Sequence, residues 1–180
     1  VYLGVLSDTH IPDRVRSLNP QVLTLFRQRQ VNAILHAGDI CAPQVLAHLD
    51  EIAPVYAVRG NRDWALLPHL PFHRSLLFDG VEIGLTHGHG SARQYWLGKL
   101  QWILQGYRLE RFVTRLTLLF PQAGVIVFGH SHRPVNENIA GRLFFNPGST
   151  CHPDGNDLLP SVGFLHIHAG TVSGEIVYLA

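Results

Sequence analysis

The stretch Tyr2-Leu3-Gly4-Val5-Leu6-Ser7-Asp8-Thr9-His10 is a short apolar run that empties into a polar tip. A run of this length, closed by small polar residues, predicts a β-strand over residues 2–7. The same construction recurs downstream. Ala33-Ile34-Leu35-His36 is a second strand that stops at Gly38-Asp39, and Val55-Tyr56-Ala57-Val58 is a third that ends at Gly60-Asn61. Between them, Asn19 caps a helix that begins at Pro20 and presents Val22, Leu23, Leu25 and Phe26, and a second helix is expected from about Gln44 to Glu51. The alternation β-α-β-α-β predicts a parallel sheet whose functional loops lie beyond the carboxyl ends of the strands.

The second half of the chain changes character. Ser75–Phe78 and Val81–Thr86 flank Asp79-Gly80, a strong hairpin signal, and two further hairpins turn at Ala140-Gly141 and Ala169-Gly170. Residues 91–120 have a helical pattern that Gly98 and Gly106 are placed to divide. Val125–Phe128 then returns as a strand ending at Gly129-His130-Ser131-His132. Hairpins following βαβ units predict an α/β fold of four layers, an α/β/β/α sandwich with two mixed β-sheets. With 180 residues and no internal repeat, the expectation is one domain over 1–180 that buries roughly 70% of its unfolded surface.

Composition narrows the function. Fourteen basic residues against thirteen acidic ones leave a formal charge of +1, so no global field selects nucleic acid or a membrane surface. The first residues lack a basic n-region and read as a strand rather than a signal peptide. Cys41 and Cys151 are far apart and outside any CxxC pattern, which predicts a reducing, cytoplasmic setting. The twelve histidines are the one compositional oddity.

Five tips carry metal-competent side chains: Asp8 with His10, Asp39, Asn61, His87, and His130 with His132. On extended backbone, residues i and i+2 point the same way, so Asp8 and His10 are expected to grip one ion, and His130 and His132 one ion or two adjacent ones. Gly38, Gly60, Gly88 and Gly129 beside them allow sharp turns and close approach. Mixed carboxylate, imidazole and amide donors suit manganese, iron, zinc or nickel better than calcium. Seven donors exceed one tetrahedral zinc and fall short of saturating two octahedral ions, which leaves positions for water and substrate. Two divalent ions would outweigh the two carboxylates and a bridging hydroxide by about one unit of charge, enough to draw in a phosphate anion.

Other features read more plainly. His166 and His168 lie within a strand and are expected to face solvent. His69, His73 and His152 are expected in proline-containing loops; the sequence does not decide whether they approach the cleft, and they are not assigned to the site. Cys41 has no partner that would make it a nucleophile and is expected to be small buried filler. Arg108, Arg111 and Arg115 share a helical face, either a solvated surface or a basic rim that steers phosphorylated substrates. The aromatic residues of 91–120 are placed to cover the core, wall the cleft or form a homo-oligomer seam.

The pattern Asp8-Thr9-His10, Gly38-Asp39, Gly60-Asn61, His87, Gly129-His130-Ser131-His132 resembles, in order and over nearly the whole chain, the calcineurin-like metallophosphoesterase superfamily. His36-Ala37-Gly38-Asp39-Ile40, His87-Gly88-His89 and Asn146-Pro147-Gly148-Ser149 look like its small bacterial and archaeal phosphodiesterase branch. The resemblance implies two divalent metal ions, manganese first and iron, zinc or nickel next. One would be held by Asp8, His10, Asp39 and His132, the other by Asp39, Asn61, His87 and His130, with Asp39 as the bridge. It implies in-line attack by metal-bound hydroxide on a small phosphorylated substrate, nucleotide-like compounds included. Larger relatives carry a histidine after Gly-Asn that protonates the leaving group; here the position is Arg62. Arginine, with a pKa above about 12, cannot be that acid but can clamp a phosphoryl oxygen. A phosphodiester is therefore expected over a monoester, with phosphomonoesterase activity as the alternative. His89 is a candidate substitute acid or a partner of a metal ligand. Residues 91–120 are the least family-like stretch, a helical insertion. The retromer scaffold subunit, which shares the fold, supplies a rival of another class, a non-catalytic interaction platform.

Overall fold

The computed structural model describes residues 1–151 and 159–180. Sheet A has the order β10-β9-β1-β2-β3, from β1 (Tyr2–Leu6), β2 (Ala33–His36), β3 (Val55–Ala57), β9 (Ser161–His168) and β10 (Thr171–Tyr178). Its β1, β2 and β3 run parallel, and β9 and β10 add an antiparallel hairpin at the β1 edge. Sheet B has the order β4-β5-β6-β8-β7, from β4 (His73–Phe78), β5 (Val81–Thr86), β6 (Val125–Val127), β7 (Val135–Ile139) and β8 (Arg142–Asn146). Here β5, β6 and β8 are parallel, flanked by antiparallel β4 and β7. Both sheets are mixed, as expected.

Three hydrophobic clusters define the layers. Leu3, Val5 and Leu35 of sheet A meet Ile83, Leu85, Val125, Val127 and Phe145 of sheet B between the sheets. Ile34 and Leu6 face the other way, onto Val22 and Phe26 of α1 (Pro20–Gln28) and Val45 and Leu49 of α2 (Pro43–Asp50). Ile126 and Phe144 face outward from sheet B onto Leu116 of α4 (Glu110–Leu119) and onto Phe120. Central strands covered on both sides need apolar residues at successive positions, which is why they read as unbroken runs.

Local chemistry sets the element ends. Asn19 Oδ1 accepts the Gln21 amide at 2.9 Å with Pro20 in the first turn. Ser91 and Gln94 form a reciprocal capping box at the start of α3 (Ala92–Gln105). Gly106, at φ 70°, ends α3, whereas Gly98 lies inside it, so residues 91–120 are two helices divided once. The three hairpins turn at the expected pairs, with positive φ at both central residues of each. His73 opens β4 rather than lying in a loop, because the pairing with β5 extends to Thr86. His166 and His168 are exposed on β9. His152 lies outside the described residues.

One packing device was not legible in the sequence. The Phe145 ring enters the space left by Gly163 on β9 and Gly174 on β10; a Cβ on Gly174 would sit 2.7 Å from the ring, and one on Gly163 would also collide with it. Phe145→Ala is expected to cost about 3–5 kcal/mol, and Gly174→Val about 1–3 kcal/mol. Each should move the urea midpoint at constant m-value, and an unmoved midpoint would refute the socket.

Candidate metal centre

The seven residues singled out in the sequence converge at one end of the two sheets, where the loops after β1, β2, β3, β5 and β6 meet. Asp8 and Asp39 are buried, as are His10, His87 and His132. Asp8 Oδ1 stands 3.1 Å from His132 Nε2, 3.7 Å from His10 Nε2 and 4.0 Å from His87 Nε2. Asp39 turns Oδ1 toward His87 Nε2 at 3.5 Å and Oδ2 toward His10 Nε2 at 3.8 Å. Asn61 Oδ1 lies 3.2 Å from His87 Nε2. The His130 ring packs edge-on against His87, centroids 5.1 Å apart. Two overlapping groups, Asp8-His10-His132 and Asp8-Asp39-His87, have ligand atoms within 4.8 Å of one another.

The backbone reaches this arrangement by a route other than strand alternation. Asp8, His10, Asp39, His130 and His132 all have positive φ, between 47° and 67°, so the paired residues do not sit on extended chain. Left-handed conformation disfavours residues with a Cβ by roughly 1–2 kcal/mol each, and it persists only where surroundings over-determine it. The surroundings here are hydrogen bonds between loops. The Asp8 amide donates to the Gly38 carbonyl at 2.9 Å and the His10 amide to the Asp39 carbonyl at 3.1 Å. Ser149 Oγ donates to the Asp8 carbonyl at 2.9 Å. Gly38 and Gly60 permit the approach, since a Cβ on Gly38 would lie 2.8 Å from the Gly60 nitrogen.

Several supporting residues escaped the sequence reading. Asp63, fully buried, accepts the amides of Ile40, Cys41 and Gly60 at 2.9, 2.8 and 2.8 Å, so one carboxylate ties the Asp39 loop to the Asn61 loop. Ser7 Oγ and the His130 amide donate to Asp8 Oδ2 at 2.6 and 3.1 Å. Asn146 donates to the Gly129 carbonyl and to Ser131 Oγ and accepts the Gly148 amide, holding the His130–His132 loop against the 146–149 turn. The signal for Asp63 was its place three residues after Gly60; that for Asn146 was Asn-Pro-Gly-Ser itself.

Electrostatics match a cation site. Burial works to raise Asp8, yet His87 and the close approach of the His10 and His132 imidazoles prevail and hold its carboxyl well below the ordinary value of 3.8. Burial, with Asp8 close by, raises Asp39. Burial lowers His130 strongly and His89 to about 4, His87 adding to both. Burial raises the Cys41 thiol to about 12, consistent with inert filler. His87 Nδ1 donates to the Ala37 carbonyl at 2.7 Å, which turns Nε2 toward Asn61 Oδ1 and Asp39 Oδ1. A nitrogen facing two acceptor oxygens carries either a proton or a bound cation. His10 and His132 approach Nε2 to Nε2 at 3.3 Å, where one proton at most fits, and Asp8 Oδ1 has no hydrogen bond. Buried lone pairs converging from two sides fit divalent cations better than protons.

Arg62 and His89 lie at the margin. The Arg62 amide donates to Asp39 Oδ1 at 2.8 Å, while its exposed guanidinium holds Asp13 at 2.7 Å. The His89 ring stands beside His87 and Phe72. Both line a cleft of about 740 Å³ that opens from the cluster and runs under α3 and α4. His69 and His73 are exposed and do not line it.

The comparison with known proteins follows the geometry. The calcineurin-like phosphoesterase superfamily domain matches residues 1–170. The chain belongs to that superfamily. A probable metallophosphoesterase of Methanothermobacter thermautotrophicus is 34% identical over 175 residues, covering 97% of this chain and 91% of the relative. Among solved structures, a zinc complex of Vps29 from Entamoeba histolytica superposes with a TM-score of 0.68 at 22% identity, covering 99% of each chain. An archaeal phosphodiesterase superposes at 0.66 and 20% identity, covering 98% of this chain and 100% of its own. These two likenesses concern the fold. The calcineurin-like family uses divalent metals, and this member presents the clustered side chains for them. Among the described residues no helix is long and apolar enough to cross a membrane.

Asp63→Ala would leave three buried amides without an acceptor and is expected to cost about 3 kcal/mol or more in urea unfolding. Asp63→Asn, which keeps one carbonyl oxygen, should lose less. Equal midpoints for Asp63→Ala and the parent would remove the assigned staple.

Proposed function

We propose that this chain is a dinuclear-metal-dependent phosphodiesterase. One observation carries the reading: buried Asp8 Oδ1, without a hydrogen bond, faces three imidazole nitrogens while the two oxygens of Asp39 turn to different histidines. Asp8, His10, Asp39 and His132 are assigned to one ion and Asp39, Asn61, His87 and His130 to the other. The mixed donor set favours manganese, with iron, zinc or nickel as alternatives. Such ions, when bound, supply Lewis acidity and a water that ionises near neutral pH.

The side chains do the rest. Two carboxylates among seven donors leave a pair of divalent cations under-neutralised, so the cleft attracts a phosphate anion. The His87–Ala37 hydrogen bond orients one imidazole before any substrate arrives. Arg62 stands at the rim with its guanidinium on Asp13, within the same cleft as His10 and Asp39. It is assigned to hold a phosphoryl oxygen as charge develops. It cannot protonate a leaving group, which favours a diester with a good leaving group over a monoester. His89 is assigned to support His87 and His130 from the side. Residues 1–180 are read as one catalytic domain in which 91–120 is an insertion. The setting is read as cytoplasmic from the cysteine pattern of the sequence, two residues far apart and outside any CxxC motif.

Purified protein is expected to retain manganese by elemental analysis and to hydrolyse bis(p-nitrophenyl) phosphate faster than p-nitrophenyl phosphate. Asp39→Asn should lower kcat/KM more than about a hundredfold with parallel loss of metal, since even outer partners of a site cost 10–100-fold. A protein that retains none of manganese, iron, zinc or nickel and turns over neither ester would belong with the scaffolds. Arg62→Ala should lower kcat/KM about ten- to a hundredfold at unchanged metal content, because the clamp is exposed and weaker than a buried oxyanion donor. An unchanged kcat/KM would remove the clamp.

A further inference from the structure

The metal cluster forms part of the lining of the cleft, and residues of α3, α4 and their connection form much of the rest. Tyr95, Lys99, Gln101, Trp102, Tyr107 and Arg108 line the same cleft as His10, Asp39 and His130. The Tyr95 ring lies against the His130 ring, centroids 5.7 Å apart. Trp102 and Tyr107 meet edge to face at 5.8 Å, and Trp102 stays 38% exposed. Aromatic surface therefore begins beside a residue of the cluster and continues along the cleft. Its volume of about 740 Å³ is far more than a phosphate group fills and is in the range of a drug-sized ligand.

The chemistry of this wall discriminates among organic groups. Among the described lining residues only Leu97 and Ile103 give it aliphatic surface, too little for a lipid chain. Asp39 is the one carboxylate among the described lining residues, which disfavours a plain sugar, whose hydroxyls call for several carboxylate acceptors. A nucleobase uses all that is present. Its π-face stacks on aromatic rings and its edge bonds to an amide such as Gln101, while Lys99 and Arg108 favour the negative charge that a nucleotide brings into the cleft. Resting on the phosphodiesterase reading above, we propose that the cleft takes a nucleotide-class phosphodiester, the base stacked on the Tyr95–Trp102–Tyr107 wall and the ester at the metal cluster. α3 and α4 thereby set specificity, and Trp102 and Tyr95 are its determinants.

The test is calorimetric titration of manganese-loaded protein with adenosine 5′-monophosphate and with ribose 5-phosphate, which carry the same phosphate and differ in the base. The nucleotide is expected to bind about tenfold tighter or more. Trp102→Ala and Tyr95→Ala should each shrink that ratio, and Trp102→Leu, which keeps apolar volume without a π-face, should shrink it as well. Equal affinities for the two ligands, or a ratio untouched in all three variants, would overturn the inference. The ester assay judges the catalytic reading separately. Turnover of bis(p-nitrophenyl) phosphate with no base preference sinks the wall and spares the chemistry; base preference without turnover of any ester does the reverse.

Discussion

A carboxylate with no access to solvent, ringed by imidazole nitrogens, sets the terms for the rest of this molecule. Asp8 is fully buried, and one of its oxygens is satisfied by Ser7 and the His130 amide while the other faces His10, His87 and His132. Such a group costs several kcal/mol in an apolar interior unless positive charge compensates it. The loops around it are built to make that compensation possible in one place. Each places a lone pair toward the same small volume, and none can move without losing hydrogen bonds to its neighbours.

The two-sheet sandwich is the means of gathering those loops. Sheet A delivers Asp8, His10, Asp39 and Asn61 from three parallel strands, and sheet B delivers His87, His130 and His132 from two. The inner apolar faces lock the sheets together, so the loop ends are held in register by a core that has no chemistry of its own. Strain is stored in the loops instead, in left-handed non-glycine residues that include Asp8, His10, Asp39, His130 and His132. Asp63, Asn146 and Ser149 offset it by tying loop to loop. A likeness to Vps29 at low identity shows that this frame serves more than one kind of protein. Function therefore rests on the donors at the loop ends and on what surrounds the cleft.

The helical pair is where this chain sets itself apart. α4 buries Leu116 against sheet B and belongs to the sandwich. α3 buries none of its described side chains, and Trp96, Leu100, Ile103 and Leu104 stand exposed. Its cleft-facing residues make it a wall. Three arginines of the connection and α4 line the cleft with it: Arg115 is pulled inward to the Gly88 carbonyl, Arg111 closes on the α3 end at Gln105 and Gly106, and Arg108 lies in the connection.

The sequence by itself determined the fold class, the succession of strands along the chain, the three hairpin turns and seven polar residues at strand ends that come together in space. Those depend on local features: apolar runs of strand length, Asp-Gly and Ala-Gly turns, and polar residues at strand ends. The tertiary structure decided everything that depends on distance across the chain. The paired donors converge through left-handed backbone, which a spacing of two residues cannot reveal. Asp63 proves to be a staple between loops, because its three amide partners come from both sides of a strand and helix. Phe145 finds its socket in two glycines on another sheet. Which partner each of the cleft arginines Arg108, Arg111 and Arg115 takes depends on where α3 ends and α4 packs. Periodicity reports the face a residue takes on its own element; only packing reports what that face meets.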